Sequence, residues 1–314
     1  MSNKVVAILL ADIHLTLNAP IWRSAEEDWL AAMKRPLDEV RALQEKHRCP
    51  ILFAGDLFTR WNSTAELINF AIKNLPSHMY GIPGQHDLPL HNYDDIHKSA
   101  YQTLVLADTV KYLHPGTPTI VEEDIKRHKM LIFGYPYGSK IKTIKARTND
   151  FIYIALIHEY VWINGHNYTS APEESRLGRN TAQFVNGRWK GYDVVVYGDN
   201  HKGFIEKPPS KTTFFNCGSL MRTNSDQIKY RPRVGLLRSN GTVKNHYLDT
   251  SEDKYLDISK EILGEDSLDM RALLKELEKL DSSDLDFVEL VQEYLKRNKI
   301  NMTICDIIRK AMGI

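Results

Sequence analysis

Short apolar runs that end in a polar turn recur through the first two hundred residues of the chain. Each run is rich in β-branched or aromatic residues, which is typical of a strand buried on both faces. Five such runs are clear, at residues 5–11, 51–54, 79–82, 151–157 and 194–197. The pattern therefore predicts a sheet-rich core.

Stretches with helical spacing separate the first of these strands. Residues 26–47 carry apolar side chains near a 3.6-residue period, and Pro36 within them predicts a start, kink or split of that helix. Ser63 and Thr64 precede a second helix predicted at 65–75, and a third is predicted at 96–106. Alternation of strand and helix predicts an α/β fold with a mainly parallel sheet.

The pattern changes near residue 118, where strands follow one another with short connections. Further strands are predicted at 118–122, 129–133, 203–206, 212–216, 233–238 and 243–249. Such a run of strands predicts a second sheet, so we expect a two-sheet sandwich over residues 1–250. The tail at 251–314 has charged helical spacing at 268–280, 286–296 and 302–312 and predicts a small helical appendage that serves as a cap or a partner-docking region.

Composition narrows the class of protein. The chain has 314 residues, of which 42% are hydrophobic, and it contains no apolar stretch near the roughly 20 residues that span a bilayer. No signal peptide is evident, and three scattered cysteines suit a reducing compartment, so the expected location is cytoplasmic. A net charge of +1 gives no support to a protein that coats nucleic acid, although it leaves room for a local basic groove.

Side chains that bind hard or borderline metal ions follow each of the five strands. In an open α/β sheet, ligands bind beyond the carboxyl ends of the strands, so these segments are expected to meet in one crevice. Carboxylates and imidazoles without thiolates suit Mn²⁺, Mg²⁺ or Fe²⁺, and also Zn²⁺. Two ions would need a bridging carboxylate, and Asp56, alone in its segment, is the natural candidate. The segments are Asp12-Ile13-His14, Gly55-Asp56, Gly84-Gln85-His86-Asp87, His158 and Gly198-Asp199-Asn200-His201.

The order of these segments resembles the calcineurin-like metallophosphoesterase superfamily, whose signature is D-x-H, G-D, G-N-H-[DE], H and G-H-x-H. The resemblance covers about residues 5–205 and implies an αββα sandwich. It also implies that two divalent ions, most simply Mn²⁺, activate a water for in-line attack on a phosphoester. The implied ligands of the first metal are Asp12, His14, Asp56 and His201. Those of the second are Asp56, Gln85, His158 and Asp199.

Two positions depart from the signature, and both fall on the second metal site. Gln85 stands where the family has Asn, and Asp199 stands where it has His. Together they make the site more anionic and favour Mn²⁺ or Mg²⁺ over Zn²⁺. The alternative is that the second site binds weakly or is empty.

His86 is not a ligand in the family scheme. The resemblance implies that it faces the phosphate and either protonates the leaving oxygen or stabilises developing charge. Asp87 either orients that imidazole or caps the turn. His91 and His166 lie near enough along the chain to reach the site, and neither is assigned a role.

Within the superfamily, the local sequence is most similar to the SbcD-like DNA-repair exonuclease branch. The similarity lies in three motifs, D-x-H-L, G-D-L-F and G-Q-H-D-L-P, and in the glycine-serine turn at 218–219. It implies a DNA exonuclease or endonuclease, an SbcC-like ATPase partner and a homodimer. Local positive charge and aromatic side chains for base stacking would come from Arg222, Lys229, Arg231, Arg233, Tyr230, Trp162 and Tyr168, although ordinary packing is the favoured interpretation of the aromatics. The alternatives are a small-molecule phosphatase or cyclic-nucleotide phosphodiesterase, and a non-catalytic binding protein.

Overall fold

A computed structural model describes residues 4–122, 129–162, 179–180, 189–207, 212–224 and 227–256. Two six-stranded mixed sheets dominate these residues. The first sheet has the order β14-β13-β1-β2-β3-β4, and the second has the order β11-β12-β10-β7-β6-β5. The strands and helices are β1 (Val5–Leu10), α1 (Trp29–His47), β2 (Ile51–Phe53), α2 (Ala65–Asn74), β3 (Met79–Gly81), α3 (Ala100–Leu106), β4 (Val110–Tyr112), β5 (Thr119–Glu122), β6 (Lys129–Tyr135), β7 (Phe151–His158), β8 (Val161–Trp162), β9 (Arg179–Asn180), β10 (Val194–Gly198), β11 (Phe204–Glu206), β12 (Thr213–Asn216), β13 (Arg233–Arg238) and β14 (Val243–Tyr247).

The first helix begins later than its apolar period predicts. Asp28 is its N-cap and accepts a hydrogen bond from the backbone nitrogen of Ala31 at 2.9 Å, so α1 starts at Trp29. Pro36 lies within α1, and the helix continues through it to His47. A start or split at Pro36 is therefore wrong.

The helix predicted at 96–106 is two elements. A 3-10 helix covers Tyr93–Lys98, and the side chain of Ser99 caps α3 by accepting from the nitrogen of Gln102 at 3.1 Å. β4, β8 and β9 carry too few residues to show a period and were not predicted. The cap at Thr64 and the remaining strand positions are confirmed, with ends that differ by one or two residues.

The two sheets pack face to face, and helices α1, α2 and α3 cover the outer face of the first. Ile8 and Leu10 of β1 face these helices, whereas Leu9 and Ala11 face the second sheet. Because both faces of β1 are buried, the strand is apolar throughout instead of alternating. This confirms the two-sheet sandwich.

The outer face of the second sheet has a different cover. Tyr153, Tyr197 and Phe214 pack there against Trp189 and Tyr192. Among the described residues no helix lies on this face, so the second helical layer implied by the family resemblance is not found in them.

Parallel pairing sets the position of the ligand segments. In the first sheet β1, β2 and β3 are parallel neighbours, and in the second sheet β6, β7 and β10 are parallel neighbours. Their carboxyl ends therefore bring the five polar segments together.

The end of the described chain is attached through a buried arginine. Arg23 is only 2% exposed and donates to Glu26, to Asp253 at 2.9 Å and to the carbonyl oxygen of Arg222 at 2.6 Å. Asp253 also accepts from Arg222 and Arg35. This charge cluster attaches residues 249–254 to the start of α1.

The chain separates into two compact units, residues 1–255 and 256–314. Beyond residue 256 the second unit lies outside the described residues, so the helical appendage and the domain boundary near 250 stay predictions. Within the described part of the chain, every helix is too short or too polar to cross a membrane.

Candidate metal centre

The segment after β1 places Asp12 and His14 on one side and Ile13 on the other. Backbone bonds to the loop after β2 fix it: the nitrogen of Asp12 donates to Gly55 at 2.9 Å, and that of His14 donates to Asp56 at 3.1 Å. Ile13 is buried in the core. The side chains of Asp12 and His14 are thereby directed toward the other polar segments.

Four of the candidate ligands adopt left-handed backbone conformations. The φ angles are 51° at Asp12, 50° at His14, 59° at Asp56 and 86° at Asp199. Residues other than glycine seldom adopt this region, and it costs of order 1–3 kcal/mol each when they do. Such strain is concentrated where function requires a particular side-chain direction, which supports this edge of the sandwich as a site.

Asp56 lies at the centre of the cluster and is fully buried. Its Oδ2 is 3.2 Å from Nε2 of His158 and 3.8 Å from Nε2 of His14, while its Oδ1 accepts from the backbone nitrogen of His86 at 3.0 Å. One carboxylate therefore contacts residues of both predicted metal sets, as a bridging ligand must.

His158 is oriented by the end of β2. Its Nδ1 is 2.7 Å from the carbonyl oxygen of Ala54. A carbonyl only accepts, so Nδ1 carries the proton of this bond, and Nε2 of the neutral ring presents its lone pair to the cluster. Burial lowers the pKa of His158, but the neighbouring Asp56 carboxylate outweighs it and raises the pKa to about 10. This raised pKa means that a second proton is held on Nε2, and metal binding at Nε2 would have to displace it.

The pKa values of the two remaining histidine ligands, His14 and His201, are lowered. Nε2 of His14 lies 3.0 Å from Nε2 of His201. Burial, with His201 nearby, holds the pKa of His14 well below its usual value, and burial also lowers the pKa of His201. Neutral imidazoles are the form that binds metals.

Gln85 and Asp199, the two departures from the signature, contact each other. Nε2 of Gln85 donates to Oδ1 of Asp199 at 2.7 Å. The backbone nitrogen of Asp199 in turn donates to Oδ1 of Asp12 at 2.9 Å. Burial raises the pKa of Asp199, whereas His158 and the bond from Gln85 act to lower it.

Buried polar atoms without hydrogen-bond partners show where a cation fits. Oδ2 of Asp12 and Oε1 of Gln85 are buried and lack a hydrogen-bond partner among the described residues, and Oδ2 of Asp56 and Nε2 of His158 are buried and face each other as an ion pair at 3.2 Å. Leaving such atoms unpaired in a protein interior is costly, unless they bind an ion. All four are metal-ligand atoms of the hard or borderline kind, so the residues fit a divalent cation.

Ligand atoms close enough to share an ion form two groups among the described residues. One is Asp12, His14 and His201, and the other is Asp12, Asp56 and His158, with the atoms of each group within 4.8 Å of one another. Asp12 belongs to both groups, which the predicted assignment of Asp12 to the first metal alone did not anticipate.

Three glycines are required by this packing. A Cβ on Gly84 would lie 2.1 Å from Oδ1 of Asp56, and one on Gly55 would lie 2.2 Å from Nδ1 of His158. A Cβ on Gly198 would lie 2.3 Å from the carbonyl oxygen of Ala54. The glycines of the signature therefore let backbone approach the central carboxylate and imidazole closely.

His86 stands at the edge of the cluster, and Asp87 lies beneath it. The ring of His86 is 5.2 Å from that of His14. Asp87 is fully buried and accepts from the backbone nitrogens of Leu57, Phe58 and Gly84 at 3.0–3.1 Å. Burial, with Asp56 nearby, raises its pKa to about 7. These are the bonds of a turn cap, and a catalytic role for Asp87 stays a prediction.

Two asparagines to which the sequence analysis gave no role, Asn216 and Asn200, position the last ligand segment. The side chain of Asn216 donates to the carbonyl oxygen of Asn200 at 2.9 Å and accepts from the nitrogen of Gly218 at 2.8 Å. The side chain of Asn200 donates to Val161 at 2.8 Å. The only available signal was a polar residue at the end of β12, directly before the turn at 217–219.

Three of the residues proposed for nucleic-acid contact, Arg222, Tyr230 and Arg231, make internal contacts. Arg222 donates to Asp253 and to two carbonyl oxygens, and the hydroxyl of Tyr230 donates to the carbonyl oxygens of Cys217 and Ser219. Arg231 lies over the ring of Tyr247. Tyr168 and His166 lie outside the described residues.

A comparison with known protein families gives one match. The family model described as calcineurin-like phosphoesterase matches residues 6–203. No curated protein matched the sequence.

Two solved structures match this chain at low sequence identity. A 5'-nucleotidase from Candida albicans SC5314 is 12% identical with a TM-score of 0.46, over 94% of this chain and 59% of that one, so this chain spans less than two thirds of its length. A phosphopantetheinyl hydrolase from Mycobacterium tuberculosis is 13% identical with a TM-score of 0.44, over 81% of this chain and all of that one.

Proposed function

Because this chain belongs to the calcineurin-like phosphoesterase family, we propose that it is a metal-dependent phosphodiesterase. The observation that carries the proposal is the convergence of buried ligand atoms on one edge of the sandwich, namely the unpartnered oxygens of Asp12 and Gln85 and the facing pair of Asp56 and His158. Together with His14, His201 and Asp199 they would hold two divalent ions. Those ions would supply a nucleophilic water and neutralise charge on the phosphoryl group.

The chain's own residues would hold the substrate and move its proton. His86 lies outside the ligand groups, next to His14, where its imidazole can give a proton to the leaving oxygen. Its backbone nitrogen is bonded to Asp56, so the position of His86 depends on the central carboxylate. Asp87 holds the same loop against Leu57 and Phe58, which keeps His86 in place.

A diester is favoured over a monoester by the charge of the site. The described ligand groups are carboxylates and imidazoles, and a bound metal would keep each imidazole, including that of His158, in its neutral form. A monoester dianion calls for additional cationic side chains, whereas a diester carries one charge less and mainly requires a positioned metal hydroxide. The proposed metal is Mn²⁺, with Mg²⁺ or Fe²⁺ as alternatives.

The narrower proposal is a DNA exonuclease or endonuclease of the SbcD-like repair type, with an SbcC-like ATPase partner. Its support is the local similarity at residues 12–15, 55–58 and 84–89. Against it, Arg222 and Tyr230 are engaged in internal contacts, which removes two of the groups expected to hold a strand. That observation favours the alternative of a small phosphodiester substrate.

Hydrolysis assays with three substrates separate these proposals. Purified full-length protein with Mn²⁺ should hydrolyse bis-p-nitrophenyl phosphate faster than p-nitrophenyl phosphate. Cleavage of linear or single-stranded DNA at a comparable kcat/KM would support the nuclease, and its absence alongside diester hydrolysis would support a small-molecule enzyme. A protein that binds metal and hydrolyses neither ester would be a binding protein, and the proposal would be wrong.

A further inference from the structure

A row of rings runs outward from the metal centre. Ring centroids of His14 and His86 are 5.2 Å apart, those of His86 and His91 are 6.3 Å apart, and those of His91 and Tyr137 are 6.0 Å apart. His91 comes from the segment after β3 in the first sheet, and Tyr137 comes from the segment after β6 in the second. The row therefore joins the carboxyl edges of both sheets.

The turn that presents His91 is fixed and unusual. Leu90 and His91 have φ angles of 48° and 58°, which non-glycine side chains rarely adopt. The turn is closed by bonds from the nitrogen of His91 to Leu88 at 3.1 Å and from Asn92 to Pro89 at 2.8 Å. Leu88 and Pro89 are buried beneath it. Buried neighbours therefore hold two strained residues outward.

The outermost side chain of this turn is apolar. Leu90 is 86% exposed, the highest value among the large hydrophobic side chains described. Tyr137 is 36% exposed. Neither Leu90, His91 nor Tyr137 is an acid or a strong base, so this surface suits a flat apolar group better than a phosphate.

We propose that Leu90, His91 and Tyr137 form a contact surface, here called the outer ring surface, for an aromatic ring in the ester substituent of the substrate. This inference rests on the proposed function, because the phosphoryl group must lie on the metal centre. His86 would protonate the oxygen of that substituent, and His91 is the next ring beyond His86 in the row. The outer ring surface then selects substrates by what the leaving oxygen carries.

The geometry matches the requirement of aromatic contacts. Rings prefer edge-to-face or offset arrangements with centroids 4.5–7 Å apart, and His91 and Tyr137 are already T-shaped at 74°. A ligand ring against them adds a contact of the same kind. The surface is held before the ligand arrives, because the turn is fixed by its own bonds and buried neighbours.

The first test measures kinetics on bis-p-nitrophenyl phosphate with Mn²⁺. His91→Ala, Tyr137→Ala and Leu90→Gly should each raise KM by about 3- to 10-fold, the size of one aromatic contact, and leave kcat within about twofold. Glycine is used at position 90 because it keeps the left-handed turn. His97→Ala, an exposed imidazole on the neighbouring 3-10 helix, is the matched control and should change neither constant. Metal stoichiometry should match wild type in all four variants.

The second test measures binding without turnover. In the presence of Mn²⁺, wild-type protein should bind phenylphosphonate about 3- to 10-fold more tightly than methylphosphonate. The variant with both His91→Ala and Tyr137→Ala should bind the two ligands equally. Calorimetry reports both affinities even if the protein hydrolyses no ester.

The outcomes separate the two proposals. Wild-type hydrolysis with no change in KM for the variants, or equal phosphonate affinities in wild type, would overturn the outer ring surface and leave the proposed function standing. A ring preference that the double variant loses, without hydrolysis of any diester, would support the surface and overturn the enzyme. If the protein neither binds the phosphonates nor hydrolyses an ester, both proposals are overturned.

Discussion

The amide nitrogen of Gln85 donates a 2.7 Å hydrogen bond to the carboxylate of Asp199, 114 residues further along the chain. The bond directs Oε1 of Gln85 away from Asp199, and that oxygen is buried without a hydrogen-bond partner among the described residues. The two side chains that depart from the family signature are therefore a matched pair. One amide both orients the carboxylate and leaves an oxygen able to bind a cation.

Replacing one member of this pair with the family residue should disturb the second metal site more than replacing both. Gln85→Asn shortens the amide and loses the contact to Asp199, and Asp199→His removes its acceptor. The double variant restores a set of ligands that fit each other. Its loss of metal affinity should therefore be smaller than the product of the two single-variant losses, since ligands of one ion couple. Calorimetric titration with Mn²⁺ on the singles and the double measures this.

Strictly additive effects in that titration would contradict the pairing. A wild-type protein that binds a single ion per chain would show that the second site is vestigial. The binding-protein alternative would then gain support.

Metal removal should abolish activity on bis-p-nitrophenyl phosphate. Protein dialysed against a chelator should be inactive, and Mn²⁺ should restore more activity than Zn²⁺, because Asp199 offers the second site a carboxylate oxygen where the family has a histidine. Rates after titration with each metal provide the measurement. Full activity after exhaustive chelation would end the two-metal proposal.

Asp56 and His86 should have separable roles. Asp56→Asn removes the central charge and should abolish metal binding and turnover together. His86→Ala should keep nearly all bound metal and lower kcat by about 10²- to 10⁴-fold, the usual contribution of a general acid. Metal analysis beside steady-state kinetics tests this, and loss of metal from His86→Ala would show that its role is structural.

Gly84→Ala should damage the metal centre without touching a ligand. The added Cβ would lie 2.1 Å from Oδ1 of Asp56, so the central carboxylate or the loop must shift. Metal affinity and activity should both fall. Gly241→Ala is the control, because nothing lies within 4 Å of its added Cβ and the strain at its φ of 77° falls in the turn between β13 and β14. Equal metal affinity in the two variants would contradict the proposed packing.

The buried charge cluster around Arg23 should dominate stability near the end of the described chain. Arg23→Ala leaves Glu26 and Asp253 without their buried partner and should lower the free energy of unfolding by about 3–5 kcal/mol. Arg147→Ala removes the exposed pair with Asp193 and should cost no more than about 1 kcal/mol. Urea denaturation of both variants compares them.

The same comparison has an expected pH dependence. Burial raises the pKa of Glu26, but bonds from Arg35 and Arg23 outweigh burial, and its pKa in the folded protein is lowered. The stabilisation is therefore present above the unfolded pKa and is lost as the pH falls through the lowered folded value. The difference in free energy of unfolding between wild type and Arg23→Ala should therefore become smaller at acid pH. A difference that is constant from neutral to acid pH would contradict the role of Glu26.

The sequence by itself determined the strands and the segments that carry the ligands. Strand burial on both faces is a local property, so the apolar runs identify β1, β2, β3, β7 and β10, and the polar residues directly after them identify candidate ligands. Parallel pairing then requires those segments to meet at one edge. The family resemblance added the order of the motifs and with it the sandwich.

Only the tertiary structure decided which side chains meet and which are already engaged. The bond between Gln85 and Asp199 joins two sheets, and the backbone bonds of Asp87 depend on how two loops pack. Arg222 and Tyr230 appeared available as charge and ring in the sequence, yet their partners lie in other segments. Periodicity reports on near neighbours along the chain, whereas these contacts arise when distant segments are brought together by burial of the core.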